Sequence, residues 1–167
     1  MNVQPFEANM VNHLVKAYNG AVKPVPHCYK VDKHYFQNEL TNALSGEPGA
    51  TRRDEIVLVA VDERRLAGFV HVAVGKPKPD QEQDEEGLIR FLWYTPGKRE
   101  AGEMLLEAAE EHCRNLGMKA VSTFPQKHRY SFYLLQSAYM SDRLGHVSAL
   151  TRSRRRQRSR LSRAAWK

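Results

Sequence analysis

The stretch from Gly87 to Gly117, GLIRFLWYTPGKREAGEMLLEAAEEHCRNLG, constrains the fold more than any other part of the chain. Its first part, Leu88-Ile89-Arg90-Phe91-Leu92-Trp93-Tyr94, is apolar and aromatic and bounded by Gly87 and Pro96, which predicts a strand. Its second part sets Ala101, Leu105, Ala108, Ala109, His112 and Leu116 at helical spacing and stops at Gly117, a residue suited to a C-cap. Between them lies Thr95-Pro96-Gly97-Lys98-Arg99-Glu100-Ala101-Gly102. A strand that feeds a helix through a short Gly-containing turn aims backbone N–H groups at one spot. The positive end of the helix dipole falls on the same spot, so an anion site is implied. Lys98 and Arg99 bring positive charge to it.

The remaining segments decide what surrounds this unit. Val3 to Phe6 reads as a short opening strand, and Asn9 as the cap of a helix burying Val11, Leu14, Val15 and Tyr18 and ending near Gly20. Pro24 and Pro26 force an extended loop. Asp32 caps a second helix with Tyr35, Phe36 and Leu40 inward, and the polar stretch from Ser45 to Asp54 reads as a loop. Ile56 to Val61 and Leu66 to Val74, joined by Asp62-Glu63-Arg64-Arg65, predict an antiparallel hairpin with Phe69, His71 and Ala73 on one face. Gly75 to Glu86 is a polar connection; Met118 to Phe124 reads as a strand parallel to Leu88–Tyr94, and Ser131 to Leu150 as apolar helix with a break near Gly145. The order strand–helix–helix–hairpin–strand–helix–strand–helix predicts an α/β fold with a mixed sheet.

At 167 residues and 41% apolar, the chain suits one domain with a real core. The formal charge of +7 is concentrated at one end. Thr151 to Lys167 holds eight of the 26 basic residues and no acid, leaving 18 basic and 19 acidic residues in the body. Cys28 and Cys113 are far apart, with no CxxC, and two free thiols are expected. No signal peptide is read at the N-terminus, and the longest apolar run, Ile56 to Val61, is too short for a bilayer. The expectation is a soluble cytoplasmic protein with no membrane partner. GxSxG, HExxH and P-loop motifs are absent, and His27/Cys28, His34 and His112/Cys113 lack metal-ligand spacing, so no metal is expected.

From Val3 to Leu150, and most closely from Ile56 to Gly117, this order resembles the GNAT superfamily of acetyl-CoA-dependent N-acetyltransferases. In that family a Gln/Arg-x-x-Gly-x-Gly/Ala loop follows the fourth strand, and the next helix carries paired leucines. Leu105-Leu106 correspond to the leucines and Gly102 to the last Gly/Ala, while Glu100 and Gly97 stand where the family has Gly and Gln/Arg. The resemblance implies a GNAT-like mixed central sheet flanked by helices over residues 1–150, while the abrupt composition shift after Leu150 predicts that the usual last strands are lacking and that 151–167 form a basic, disordered tail. It implies acetyl-CoA as co-substrate, its diphosphate on Gly97, Lys98, Arg99, Glu100, Ala101 and Gly102. Main-chain amides near Leu92, Trp93 and Tyr94 would face its thioester carbonyl.

The implied reaction is direct attack of a neutral primary amine on that carbonyl. It needs a base for the incoming ammonium, a donor for the oxyanion and an acid for the thiolate. The strand Leu88–Tyr94 carries no carboxylate, so His71 on the neighbouring strand is the nearest base, with a core histidine as the plainer reading. Leu150 stands at the family's acid tyrosine and Arg154-Arg155 at its Gly-Phe. Tyr133 and Tyr139 are then the available acids, and on an apolar helix they also read as packing residues. By the same resemblance His27, Tyr29 and Tyr35 would line the amine pocket. Missing final strands would leave a sheet edge that a second copy could cover as a homodimer. The alternatives are a catalytically impaired CoA-binding domain and nucleic-acid binding through the Arg-rich tail by counterion release.

Overall fold

The β-branched runs on either side of Glu63-Arg64 build the centre of the sheet. In the computed structural model, which describes residues 1–24, 30–41, 52–77, 84–125, 128 and 130, they form β2 (Arg52–Asp62) and β3 (Arg65–Gly75). Asp62 pairs with Arg65, and the two residues between them adopt φ of 46° and 68°, the left-handed pair of a two-residue hairpin turn. β1 (Asn2–Pro5) adds antiparallel to β2, and β4 (Glu86–Tyr94) adds antiparallel to β3. The helix α3 (Arg99–Asn115) then crosses over and returns the chain as β5 (Val121–Thr123), parallel to β4. The strand order is β1-β2-β3-β4-β5, the mixed α/β sheet expected from the sequence.

Each face of the sheet carries its own core. On one, Leu58, Ala60, Val70, Val72 and Ile89 pack against Ala101, Leu105, Ala109 and Cys113 of α3. Helix and strand approach so closely that a Cβ on Gly87 would stand 2.3 Å from Cys113 Sγ. On the other face an aromatic cluster forms: Phe69 stacks on Phe91 at 5.3 Å, Phe91 on Tyr130 at 4.8 Å, and Tyr18 meets Phe36 edge-on at 5.5 Å. Tyr18 comes from α1 (Val11–Val22) and Phe36 from α2 (Lys33–Thr41). The Asn19 amide brackets Val31, donating to its carbonyl at 2.9 Å and accepting from its N–H at 2.8 Å, which ties the two helices together.

Three local expectations are corrected. Asn9 does not cap α1: it lies in a 3-10 turn, Ala8–Met10, with its side chain on Glu7, and the helix starts with no side-chain cap. Tyr35 turns outward, 57% exposed, while Phe36 and Leu40 are fully buried. β2 begins at Arg52 rather than after Asp54, because Arg52 and Arg53 pair with Gly75 and Val74. A bulge between Arg53 and Ile56, with Asp54 at φ 50°, absorbs the polar residues into the strand. The Asp32 side chain does accept from the His34 N–H at 2.7 Å, as a helix cap should. The chain divides into two units, Met1–Ser131 and Phe132–Lys167, and every described residue lies in the first. The helix expected over Ser131–Leu150, Tyr133, Tyr139, His27, Tyr29, Cys28 and the tail lie outside the described residues.

Candidate functional site

A single inserted residue shapes the end of β4. Phe91 pairs with His71 of β3 and Ile89 with Val72, which leaves Arg90 as the extra residue of a bulge. Ahead of it, Gly87 and Ile89 face β5: Gly87 N–H donates to the Ala120 carbonyl at 3.0 Å, and the Ile89 carbonyl accepts from Phe124 N–H at 2.8 Å. Beyond it the alternation is reversed. Thr95 N–H donates to Ala67 of β3 at 2.7 Å, so Trp93 and Phe91 also face β3, and Leu92 and Tyr94 face the opposite edge. β5 pairs with β4 only over Gly87–Ile89, and Phe124 at φ 52° turns the chain out of the strand. Among the described residues, no strand covers the Leu92–Tyr94 edge.

The edge runs directly into the turn that starts α3. Lys98 N–H donates to the Thr95 carbonyl at 2.9 Å around Pro96 and Gly97. Gly97 has φ 85°, the conformation a type II turn requires at its third position. Lys98 is the N-cap and offers no side-chain cap, and Ala101 N–H bends back to the Lys98 carbonyl at 3.0 Å. The N–H groups of Arg99 and Glu100 have no partner within the helix and point out of its N-terminus. Residues Gly97 to Glu100 are all exposed. This donor set suits a diphosphate, because it is made of main-chain groups on an open surface.

The side chains around the turn are less free than their sequence suggests. Lys98 Nζ pairs with Asp62 at 2.8 Å, and Arg99 Nε with Glu103 at 2.9 Å. Glu100, an exposed acid in the first turn, already complements the helix dipole and competes with any anion there. Gly102 is buried beneath the Tyr94 ring, where a Cβ would meet Tyr94 Cδ1 at 2.6 Å. Its lack of a side chain is therefore needed for packing within the chain. Ala101 is buried under the sheet, and Trp93 lies in the aromatic cluster, 5.6 Å from Tyr18.

Behind the bulge lies a buried polar network that the sequence did not reveal. Arg90, 4% exposed, donates from Nε to the His128 carbonyl at 2.7 Å, from Nη1 to Glu55 at 3.1 Å and from Nη2 to Glu39 at 3.2 Å. Its guanidinium also sits 5.3 Å from the Tyr130 ring centre. A buried cation is tolerated only when it is paired and hydrogen-bonded, and here two carboxylates, a carbonyl and a ring do so. Burial alone would raise the Glu55 carboxyl, yet the His71 hydrogen bond and the Arg52 and Arg90 charges hold it below the usual carboxylate range. The available signal was Arg90 itself, a cation inside an apolar strand.

His71 belongs to this network and is fully buried. Its Nε2 lies 3.1 Å from Glu55 and its Nδ1 2.8 Å from the Tyr130 hydroxyl. An ionised carboxylate only accepts, which assigns the proton to Nε2 and leaves Nδ1 accepting from Tyr130. Burial pushes the imidazole down to about 4, against the opposing Glu55 hydrogen bond. Both nitrogens are thus engaged inside the protein. Burial likewise raises the Tyr130 hydroxyl well above its ordinary value. His128 places Nε2 2.8 Å from the Lys76 carbonyl, while its buried Nδ1 has no hydrogen-bond partner. No cluster of metal-ligating side chains occurs among the described residues.

No family model and no curated protein matches the sequence. Solved structures do. A GNAT family acetyltransferase of Staphylococcus aureus is 17% identical with a TM-score of 0.53, over 73% of this chain and 84% of that one. Ribosomal-protein-alanine N-acetyltransferase of Brucella melitensis is 18% identical with a TM-score of 0.55, over 74% and 73%. AAC(6')-Iy in complex with the bisubstrate analogue CoA-S-monomethyl-acetylneamine is 11% identical with a TM-score of 0.51, over 73% and 77%.

Proposed function

Starting from a chain with the GNAT acetyltransferase fold, we propose that this protein transfers an acetyl group from acetyl-CoA to a primary amine by direct attack. The observation that carries the reading is the Leu92–Tyr94 edge of β4, which no strand among the described residues covers, continuous through one turn with the exposed N-terminus of α3. An open strand edge accepts an extended, amide-bearing arm as an added strand, and a helix N-terminus accepts a diphosphate. Pantetheine and the CoA diphosphate are such an arm and such an anion.

Acetyl-CoA supplies an activated acyl carbonyl and a thiolate leaving group. Of the Leu92 and Tyr94 N–H groups, roughly 7 Å apart along the strand, one can donate to the carbonyl oxygen as it gains charge, and being main-chain it needs no reorganisation. Around them the amine nitrogen bonds to the carbonyl carbon, the carbon–sulfur bond breaks, the amine proton leaves to a base and the thiolate takes a proton. Tyr133 and Tyr139 are the proposed acids. His71 enters as the group behind Tyr130, because both its nitrogens are engaged within the fold. The same engagement favours a second reading, a CoA-binding domain with impaired catalysis.

Calorimetric titration with acetyl-CoA and CoA tests both readings. Saturable binding below about 1 mM, weakened in Lys98→Glu, together with turnover of members of an amine panel, is expected for the enzyme. Binding without turnover leaves the second reading, and absence of binding overturns both.

A further inference from the structure

From the point where β4 and β5 separate, Arg90 reaches β2, β3, α2 and the segment after β5. It is the inserted residue of the bulge, so its backbone reverses which residues of β4 face outward. Its guanidinium reaches back to Glu55 on β2 and Glu39 on α2, and forward to the His128 carbonyl on the segment that follows β5. That segment turns out of the strand at Phe124, whose N–H donates to the Ile89 carbonyl of β4. One rigid fork therefore holds both diverging chains against the rest of the sheet. A lysine keeps the charge but offers a point donor, and it cannot span two carboxylates and a carbonyl at once.

We infer that Arg90 is a positioning residue that fixes where β4 parts from β5, and so sets the Leu92–Tyr94 edge at which an acyl carrier is bound. The inference rests on the acetyl-transfer reading for its ligand, while the strut itself stands on the contacts of Arg90 alone. The Tyr130 ring beneath the guanidinium, and the Tyr130–His71–Glu55 chain behind it, keep the fork from swinging away.

Amide hydrogen exchange and acetyl-CoA titration on Arg90→Lys and the milder Glu39→Gln, each beside the unmodified protein, test it. In Arg90→Lys the Phe124 amide exchanges roughly tenfold faster or more, as expected for losing charge-assisted hydrogen bonds. The amides of the β2–β3 hairpin keep their protection, and acetyl-CoA binds roughly tenfold more weakly or worse, since small misplacements at such an edge are costly. Glu39→Gln shows the same pattern at smaller size, and it carries the test if Arg90→Lys does not fold. Selective Phe124 loosening in a protein that never binds acetyl-CoA upholds the strut and overturns the acetyl-transfer reading. An unchanged Phe124 amide, loss of protection spread evenly over the sheet, or loosening with undiminished acetyl-CoA affinity overturns the inference.

Discussion

The Tyr130 hydroxyl lies 2.8 Å from His71 Nδ1, and that contact occupies the lone pair by which the imidazole would take up a proton. With Nε2 held by Glu55 at 3.1 Å, the ring is fixed as one neutral tautomer in a buried site.

The consequence is a pH dependence of stability. His71 has a folded pKa of about 4 against 6.5 when unperturbed, so below pH 6.5 the unfolded chain binds a proton that the folded chain refuses. Stability at this site is flat above pH 6.5 and falls as pH drops from 6.5 towards 4, by roughly 3 kcal/mol in all. Glu55, depressed in the fold, adds a loss in the same direction at lower pH. Urea unfolding of the protein and of His71→Gln at several pH values checks this: the variant starts less stable, and its slope between pH 6.5 and 4 is shallower. Equal slopes refute the assignment.

Gly102 and Tyr94 are coupled through a close contact. A Cβ at Gly102 would stand 2.6 Å from the Tyr94 ring, so Gly102→Ala is expected to destabilise by about 1–3 kcal/mol despite the better helix propensity of alanine. With Tyr94→Ala already in place the ring is gone, and the same change should stabilise by about 1 kcal/mol. A double-mutant cycle by denaturant unfolding reads the reversal of sign, and additive effects would exclude the contact.

Cys113 is buried, and burial, helped by the Glu110 charge, pushes its thiol up to about 11. In a Cys28→Ala background the native protein should resist a thiol reagent at pH 8. It should react only through opening of α3, with a rate that climbs with denaturant. Prompt labelling without denaturant would contradict this burial.

Lys98 pairs with Asp62 on the exposed surface, so Lys98→Gln should leave the unfolding midpoint unchanged. If the turn holds a diphosphate, the same change weakens acetyl-CoA binding a few-fold, and binding also becomes less sensitive to salt. Unaltered affinity and salt dependence would place the anion contact on main-chain groups alone.

The β4–turn–α3 unit and the hairpin were legible because each is written locally. An apolar run ends at Pro96, a helical spacing ends at Gly117 with φ 78°, and β-branched residues flank a two-residue turn. What was not legible depends on partners distant in the chain. Glu55 falls between the stretch ending at Asp54 that reads as loop and the strand that reads from Ile56, and the bulge at Asp54 turns it towards Arg90, 35 residues away. Lys98 and Arg99 read as free charge, but the hairpin turn delivers Asp62 to one and the helix delivers Glu103 to the other. Gly102 reads as a loop glycine, whereas in the fold it is a helix residue packed under the Tyr94 ring of β4.

The bulge at Arg90 makes the length of β4 as informative as its composition. Substituting any residue from Phe91 to Tyr94 changes one side chain, whereas deleting Arg90 would restore an unbulged ladder, because Ile89 and Phe91 already pair with the neighbouring Val72 and His71. Phe91 and Trp93 would stay opposite His71 and Phe69 in the aromatic cluster, the Leu92 and Tyr94 amides would stay outward, and what would go is the guanidinium fork. At this one position the strand could lose a codon and keep its register.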